Sequence, residues 1–212
     1  MSDDLVFYTN PMSRGRIVRW MLEEVGQPYE TVLLDYGTTM KAPAYLAINP
    51  MGKVPAIRHG DTVVTETGAI CAYLADAFPQ AGLAPSVGSQ LRGPYYRWLF
   101  YAAGPVEQAT SIQSMGWEPP EDRRATFGYG CMDDVVGALD GAVAGREFLV
   151  GDRFTAADLY VGSHLGWGMQ FNSIPKRPAF EAYVSRLYAR PAALRAVQID
   201  DALMPTEPAS AE

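Results

Sequence analysis

Two stretches of the sequence carry residue types that suit ligand binding or catalysis. The first is Gly52-Lys53-Val54-Pro55-Ala56-Ile57, whose apolar part predicts a short strand with a proline at its start. If the Val54–Pro55 bond is cis, the N–H and C=O of Val54 point outward instead of into a ladder. About ten residues later Thr65-Glu66-Thr67-Gly68 opens an apolar helix over residues 69–78, and a helix start favours negative charge.

Ser13 is the second candidate. It follows a short apolar strand over residues 5–8 and the break at Asn10-Pro11, at the place of a helix N-cap. The helix after it has one apolar face, formed by Ile17, Val18, Met21, Leu22 and Val25. Capping is the commoner role of a serine at such a place, so a purely structural Ser13 is the alternative interpretation.

Composition excludes several classes of function. The 212 residues are 48% hydrophobic with a net charge of −7, which argues against a nucleic-acid partner. Cys71 and Cys131 lack metal-ligand spacing, so we predict no metal site and a reducing compartment. No apolar run approaches the ~18 residues of a membrane span, and the acidic N-terminus lacks signal-peptide order. We therefore expect a cytoplasmic protein that binds neither membrane nor nucleic acid.

The first third of the chain alternates strands and helices. The helix after Ser13 stops at Gly26, and Thr31-Val32-Leu33-Leu34 predicts a strand parallel to the first. A short helix over 44–48 precedes a hairpin that turns at His59-Gly60-Asp61. With the helix over 69–78, the order is βαβαββα, which is that of the thioredoxin fold.

After residue 88 the pattern predicts only helices, over 90–114, 123–143, 159–171, 178–189 and 192–202. Thr155 and Asp158 form a capping box before the third of these. We predict a thioredoxin-like domain over 1–78, a linker over 79–88 rich in Pro and Gly, an all-helical domain over 89–204, and a disordered tail over 205–212. The fold class is therefore α/β plus all-α.

Four motifs in order resemble the cytosolic glutathione S-transferase family, of the bacterial type that uses a serine. They are Tyr8-x-Asn10-Pro11-x-Ser13-Arg14, Asn49-Pro50-x-Gly52-Lys53-Val54-Pro55, Glu66-Thr67-x-Ala69-Ile70 and Phe154-Thr155-x-Ala157-Asp158. The resemblance extends from Leu5 to about Leu203. Each motif alone is weak, but four in register across two domains are specific for this fold.

The resemblance implies a glutathione site in the first domain, with a cis bond before Pro55. The Val54 main chain binds the cysteinyl part of glutathione as an added strand does. Glu66 binds the ammonium group of the γ-glutamyl end, and Thr67 binds its carboxylate at the helix N-terminus. Lys53, with Lys41 as a looser candidate, contacts the glycyl carboxylate.

The implied chemistry requires the thiolate of glutathione, because a thiol with a pKa near 8.5 is mostly protonated at neutral pH. A hydroxyl directed at the sulfur and a helix N-terminus both favour the thiolate. Ser13 supplies both, as a stabiliser and not as a covalent nucleophile. Asn10 and Arg14 are alternatives, and Tyr8 is a rival because some family members use a tyrosine at the end of the strand.

The resemblance predicts a glutathione transferase that conjugates glutathione, its co-substrate, to an apolar electrophile, and that forms a homodimer. Aromatic residues over 95–101, with Met115 and Trp117, are candidates for the electrophile pocket. Two alternatives stay open, a glutathione-dependent peroxidase or isomerase and a non-catalytic binding module. The turn over residues 10–14 has no cysteine, which disfavours reductase chemistry.

Overall fold

The computed structural model describes residues 4–204, which divide into two compact units. The first unit runs to Ile70 and includes the chain again from Pro191, and the second is Cys71–Arg190. The first unit contains the elements β1 (Leu5–Thr9), α1 (Gly15–Val25), β2 (Glu30–Leu33), α2 (Pro43–Leu46), β3 (Ala56–His59), β4 (Thr62–Thr65), the start of α3 (Thr67–Ala77), and α9 (Pro191–Ala202).

The first unit is built on a four-stranded sheet with the order β2-β1-β3-β4. β1 pairs with β2 in parallel and with β3 antiparallel, and β3 forms a hairpin with β4. The central strands are buried, with Phe7 and Ile57 at 0% exposure. This is the predicted βαβαββα order, so the thioredoxin-like fold of the first part of the chain is confirmed.

The last helix packs against the first helix of the same unit. α1 is amphipathic, ends at Gly26 in the left-handed conformation (φ 70°), and contacts α9 along its length. The guanidinium of Arg19 is buried there, and its Nε lies 3.1 Å from Oδ1 of Asp200, which is also buried. Burial raises the pKa of Asp200, and the nearby Arg19 opposes that rise.

The second unit is helical in the described residues. It contains α4 (Arg92–Tyr101), α5 (Glu107–Ser114), α6 (Met132–Val143), α7 (Ala156–Gln170) and α8 (Pro178–Tyr188). The predicted capping box is present, since Asp158 Oδ2 accepts from the Thr155 N–H at 2.8 Å and from its hydroxyl at 3.0 Å. Asp158 also accepts from the Tyr183 hydroxyl at 2.7 Å, so this cap joins α7 to α8.

Two helix predictions in this unit were wrong in detail. The helix expected over 90–114 contains a π-helical segment, Ala102–Val106, that includes Pro105, a residue with no N–H for a regular helical bond. The helix expected over 123–143 is broken, because a short 3₁₀ segment (Glu121–Thr126) ends before Gly130 adopts a left-handed φ of 68°. α6 then begins with its own capping box, between Cys131 and Asp134.

The predicted domain boundaries at 78 and 88 stay a prediction. The two compact units have other bounds, because the first segment of the first unit ends at Ile70 and α9 belongs to that unit. The tail predicted to be disordered, 205–212, lies outside the described residues.

Candidate functional site

Three segments of the first unit meet at one end of the sheet. Ala56 pairs with Tyr8 on one side and with Thr65 on the other. β3 is antiparallel to both neighbours, so the residues just before Ala56 lie at the same end of the sheet as those just after Thr9 and Thr65. The turn after β1, the segment before β3 and the start of α3 therefore form one edge.

The Val54–Pro55 peptide bond is cis, as the resemblance implied. The preceding carbonyl, that of Lys53, accepts hydrogen bonds from the Tyr45 hydroxyl at 2.6 Å and from Asn49 Nδ2 at 2.8 Å. Burial raises the pKa of Tyr45 to about 12, so its hydroxyl keeps its proton at neutral pH. Val54 lies outside β3, and none of the turn and loop hydrogen bonds within residues 4–204 engages its main chain.

Lys53 lies on the loop that leads to this segment, and Lys41 ends a short 3₁₀ helix, Thr39–Lys41, before α2. Both side chains are exposed, and Lys41 Nζ donates to the Met51 carbonyl at 3.0 Å. Gly52 has a φ of 57°, and a Cβ there would lie 2.7 Å from the Met40 carbonyl oxygen. A larger residue at position 52 would displace this loop, so the glycine maintains the approach of Lys41 to it.

Glu66 and Thr67 occupy the boundary between β4 and α3. Glu66 is exposed and has a φ of 67°, in the left-handed region that a residue with a side chain rarely adopts. Its carbonyl accepts from the Ile70 N–H at 2.9 Å, which closes the first turn of α3. Thr67 is the first helical residue and is buried. The strained backbone at Glu66 could not be inferred from the sequence.

Ser13 lies between the turn after β1 and the start of α1. Its hydroxyl donates to the Asn10 carbonyl at 2.7 Å and accepts from the Gly15 N–H at 2.9 Å. The helix begins at Gly15 with Arg14 as its N-cap, so the prediction of Ser13 at the N-cap is wrong by one residue, and the Ser13 hydroxyl bonds in the turn just before the helix. Gly15 packs against the buried Thr9, whose Oγ1 a Cβ at position 15 would strike.

The three alternatives to Ser13 have other surroundings. The Asn10 side chain is buried and holds the turn, since Nδ2 donates to the Leu34 carbonyl at 2.8 Å and Oδ1 accepts from the Met12 N–H at 2.9 Å. Tyr8 is 9% exposed and packs in an apolar cluster, with its ring centroid 5.7 Å from that of Tyr45. Arg14 is exposed at the start of α1.

Tyr45 and Asn49, whose side chains donate to the Lys53 carbonyl, were not predicted as part of the site. The Asn49-Pro50 pair was a usable signal, because Asn49 Oδ1 accepts from the Met51 N–H at 3.1 Å in an Asx turn. In residues 4–204 no three His, Cys, Asp or Glu side chains are grouped so as to hold a metal ion. No helix in the same range combines the length and apolar character needed to cross a membrane.

Comparison with known proteins identifies the family of this chain. The sequence model for the glutathione S-transferase N-terminal domain matches residues 7–82, and that for the C-terminal domain matches residues 131–191. A glutathione S-transferase-like protein, gedE of Aspergillus terreus, is 32% identical over 169 residues, which cover 73% of each chain.

Solved structures give the same relationship. A glutathione transferase from Methylococcus capsulatus is 30% identical, with a TM-score of 0.78 over 93% of this chain and 99% of that one. A sphingomonad glutathione S-transferase in complex with glutathione is 29% identical, with a TM-score of 0.75 over 92% of this chain and 98% of that one. The sequence identity, the coverage and the fold agree, and the chain belongs to the glutathione S-transferase family.

Proposed function

We propose that this protein is a glutathione transferase that binds glutathione along Val54 and activates its thiol at Ser13. The observation that carries the proposal is the meeting of three features at one sheet edge. They are the available main chain of Val54, the helix N-terminus at Glu66 and Thr67, and the hydroxyl of Ser13 at the start of α1. The sphingomonad relative, whose structure contains glutathione, supports the same ligand for this chain.

Each part of the tripeptide has a chemically matched group. The cysteinyl N–H and C=O pair with the Val54 main chain as an added strand would. The γ-glutamyl carboxylate binds at the N-terminus of α3 with the Thr67 hydroxyl, and its ammonium group pairs with Glu66. The glycyl carboxylate pairs with Lys53 or Lys41, both of which are exposed. Two opposite charges at the γ-glutamyl end thus fix the orientation of the ligand.

Thiol activation requires the Ser13 hydroxyl to change its hydrogen-bond acceptor. In the ligand-free arrangement its proton is donated to the Asn10 carbonyl, which also accepts from the Ser13 N–H at 3.1 Å. When the Ser13 hydroxyl rotates toward the sulfur, the Asn10 carbonyl therefore still accepts a hydrogen bond from the Ser13 N–H. The rotation exchanges a neutral hydrogen bond for one to a thiolate, and bonds to charged groups are about twice as strong.

The N-terminus of α1 adds a favourable field for the same negative charge. The thiol proton leaves to solvent, the sulfur forms a bond to the electrophilic carbon, and the displaced group leaves with its electron pair. Stabilising the thiolate lowers the thiol pKa and so raises its reactive fraction at neutral pH. Ser13 therefore acts on the rate of the reaction, whereas Val54, Glu66 and Thr67 act on binding.

Ser13→Ala tests this assignment. Loss of one hydrogen bond to a charged group corresponds to about 1.5–3 kcal/mol, which is roughly one to two pKa units of the bound thiol. We expect kcat with an aryl halide to fall about 10-fold to 100-fold at neutral pH, to recover as the pH rises, and the Kd of glutathione to change little.

Ser89→Ala is the matched control. Ser89 is half-buried like Ser13, and its hydroxyl accepts the N–H of Leu91, two residues on, at 3.2 Å. Ser89→Ala loses a similar bond between a hydroxyl and a backbone N–H, but in the second unit, and the variant should keep full turnover. Equal turnover in Ser13→Ala and the parent would remove Ser13 from the mechanism, and a peroxide assay on the same proteins separates conjugation from peroxidase activity.

The homodimer, the cytoplasmic location and the apolar second substrate remain predictions. Large apolar side chains exposed in the second unit support an apolar electrophile, among them Phe100 and Met115, each 72% exposed, and Trp117.

A further inference from the structure

Arg16 joins the turn that carries Ser13 to the last helix of the first unit. Its Nε donates to the Pro11 carbonyl at 2.6 Å, and its Nη1 lies 2.8 Å from Oδ1 of Asp201. The two contacts use different nitrogens of one planar guanidinium, which has a fixed fork geometry. The direction in which Arg16 meets Pro11 is therefore set by the position of Asp201.

Asp201 is presented by a helix that is held firmly in this unit. Arg19 lies three residues after Arg16, on the same face of α1, and forms the buried pair with Asp200. Removing one member of such a pair leaves an uncompensated buried charge, which makes the pair difficult to separate. Two successive acidic residues of α9 thus meet two basic residues on successive turns of α1.

The outer pair differs from the buried pair in exposure. The Arg16 side chain is 25% exposed and that of Asp201 is 59% exposed, so their attraction contributes little to the free energy of unfolding. Its structural effect is local, on the turn where Asn10 accepts from Ser13 and Pro11 accepts from Arg16. A change in this pair can therefore alter the turn without unfolding the protein.

We infer that Arg16 is a positioning residue for the Ser13 hydroxyl, and that Asp201 holds Arg16 in the orientation that fixes the turn. The inference rests on the proposed role of Ser13 in thiol activation. Neither side chain contacts the reacting sulfur in this account. Arg16 acts through the Pro11 carbonyl, and Asp201 acts through Arg16.

A second ion pair between the same two helices provides a matched control. Arg195 of α9 is 52% exposed, its Nε lies 3.1 Å from Oε2 of Glu23, and its Nη2 donates to the Glu23 carbonyl at 3.2 Å. Glu23 lies near the C-terminal end of α1, at the end of the helix away from Ser13. Arg195→Gln therefore removes an α1–α9 pair of similar exposure far from the turn.

The experiment compares the parent protein with the variants Asp201→Asn, Arg16→Lys and Arg195→Gln. Amide hydrogen exchange without ligand reports on the turn through the N–H groups of Met12, Ser13 and Gly15. The pH dependence of the ultraviolet absorbance of bound thiolate reports on sulfur activation. Steady-state kinetics with glutathione and an aryl halide separate kcat from the KM for glutathione.

For Asp201→Asn we expect exchange at the turn to rise about twofold to fivefold, the range set by an exposed ion pair, and kcat at neutral pH to fall by a similar factor. The thiolate titration should shift to higher pH while the KM for glutathione stays unchanged. Arg16→Lys should behave in the same way, because an ammonium group keeps the charge but lacks the fork. Arg195→Gln should resemble the parent in all three measurements.

The outcomes distinguish this inference from the proposed function. If the parent protein neither binds glutathione as the thiolate nor conjugates it, the proposed function is contradicted, and the positioning role of Arg16 falls with it. The hydrogen-exchange data would still show whether Arg16 holds the turn. A parent that is active, with variants whose thiolate titration matches that of Arg195→Gln, overturns the positioning role and leaves the function standing.

Discussion

Glu66→Gly should make the protein more stable and a weaker binder of glutathione. Glu66 has a left-handed φ of 67°, which costs a residue with a side chain about 1–2 kcal/mol. Glycine adopts this conformation without that cost but gains freedom in the unfolded chain, which offsets about 0.4–1 kcal/mol. With the middle of each range, the net gain in the free energy of unfolding is about 0.8 kcal/mol.

For a chain of this length, 1 kcal/mol corresponds to about 2–4 °C in Tm, so a rise of roughly 1–4 °C is expected in thermal unfolding without ligand. The substitution also removes the carboxylate proposed to pair with the ammonium group of glutathione. Because Glu66 is exposed, we take the lower part of the range for a bond to a charged group, and expect the Kd of glutathione to rise about tenfold.

Two variants separate the backbone effect from the charge effect. Glu66→Gln keeps the left-handed backbone and loses the charge at the start of α3, so its Tm should not rise above that of the parent while its glutathione affinity falls. Asn172→Gly relieves another left-handed residue (φ 58°), but asparagine tolerates this region better, so a smaller rise in Tm with unchanged affinity is expected. A lower Tm for Glu66→Gly, or parental affinity for glutathione by calorimetry, would refute the reasoning.

Close packing at Gly15 and the hydrogen bond of Tyr45 support the segments that form the proposed site. Gly15→Ala should lower the free energy of unfolding by about 1–3 kcal/mol in denaturant titrations, because the new methyl group would clash with Thr9. Gly137→Ala is the control, at an exposed helical position with open space around it, and should raise the free energy of unfolding by about 0.5–1 kcal/mol. Tyr45→Phe should weaken glutathione binding a few-fold through the lost hydrogen bond to Lys53. Burial raises the pKa of Tyr45 to about 12 in the folded state. The stability that the protonated hydroxyl contributes is therefore complete below pH 10 and is lost as the pH rises toward 12. In Tyr45→Phe the free energy of unfolding should decrease less between pH 10 and pH 12 than it does in the parent.

Local patterns in the sequence predicted the fold of the first unit and the family, and both predictions are confirmed. Strand and helix periods, the stop at Gly26 and the capping box at Thr155 depend on residues close together in the chain. The packing of α9 on α1 was not predictable in this way, because Arg19 and Asp200 are 181 positions apart. No periodic pattern connects residues at that separation, so the return of the chain to the first unit is visible only in three dimensions.

The site was predicted as a set of residues and not as a geometry. Three of the four motifs identified Ser13, Val54, Glu66 and Thr67, and their assigned roles stay predictions. The sequence could not show that the Ser13 hydroxyl is bonded to Asn10, nor that Glu66 has a left-handed backbone. Both depend on the relative placement of a strand end and a helix start, which residue types constrain only weakly.

The return of α9 to the first unit has a consequence during protein synthesis. The ribosome makes the thioredoxin-like segment first, and N-terminal domains generally fold first as they emerge. Here the buried guanidinium of Arg19 lacks its carboxylate partner until Asp200, 181 positions later, has been translated. The first unit therefore reaches its native packing only after the helical unit that separates its two segments has been made.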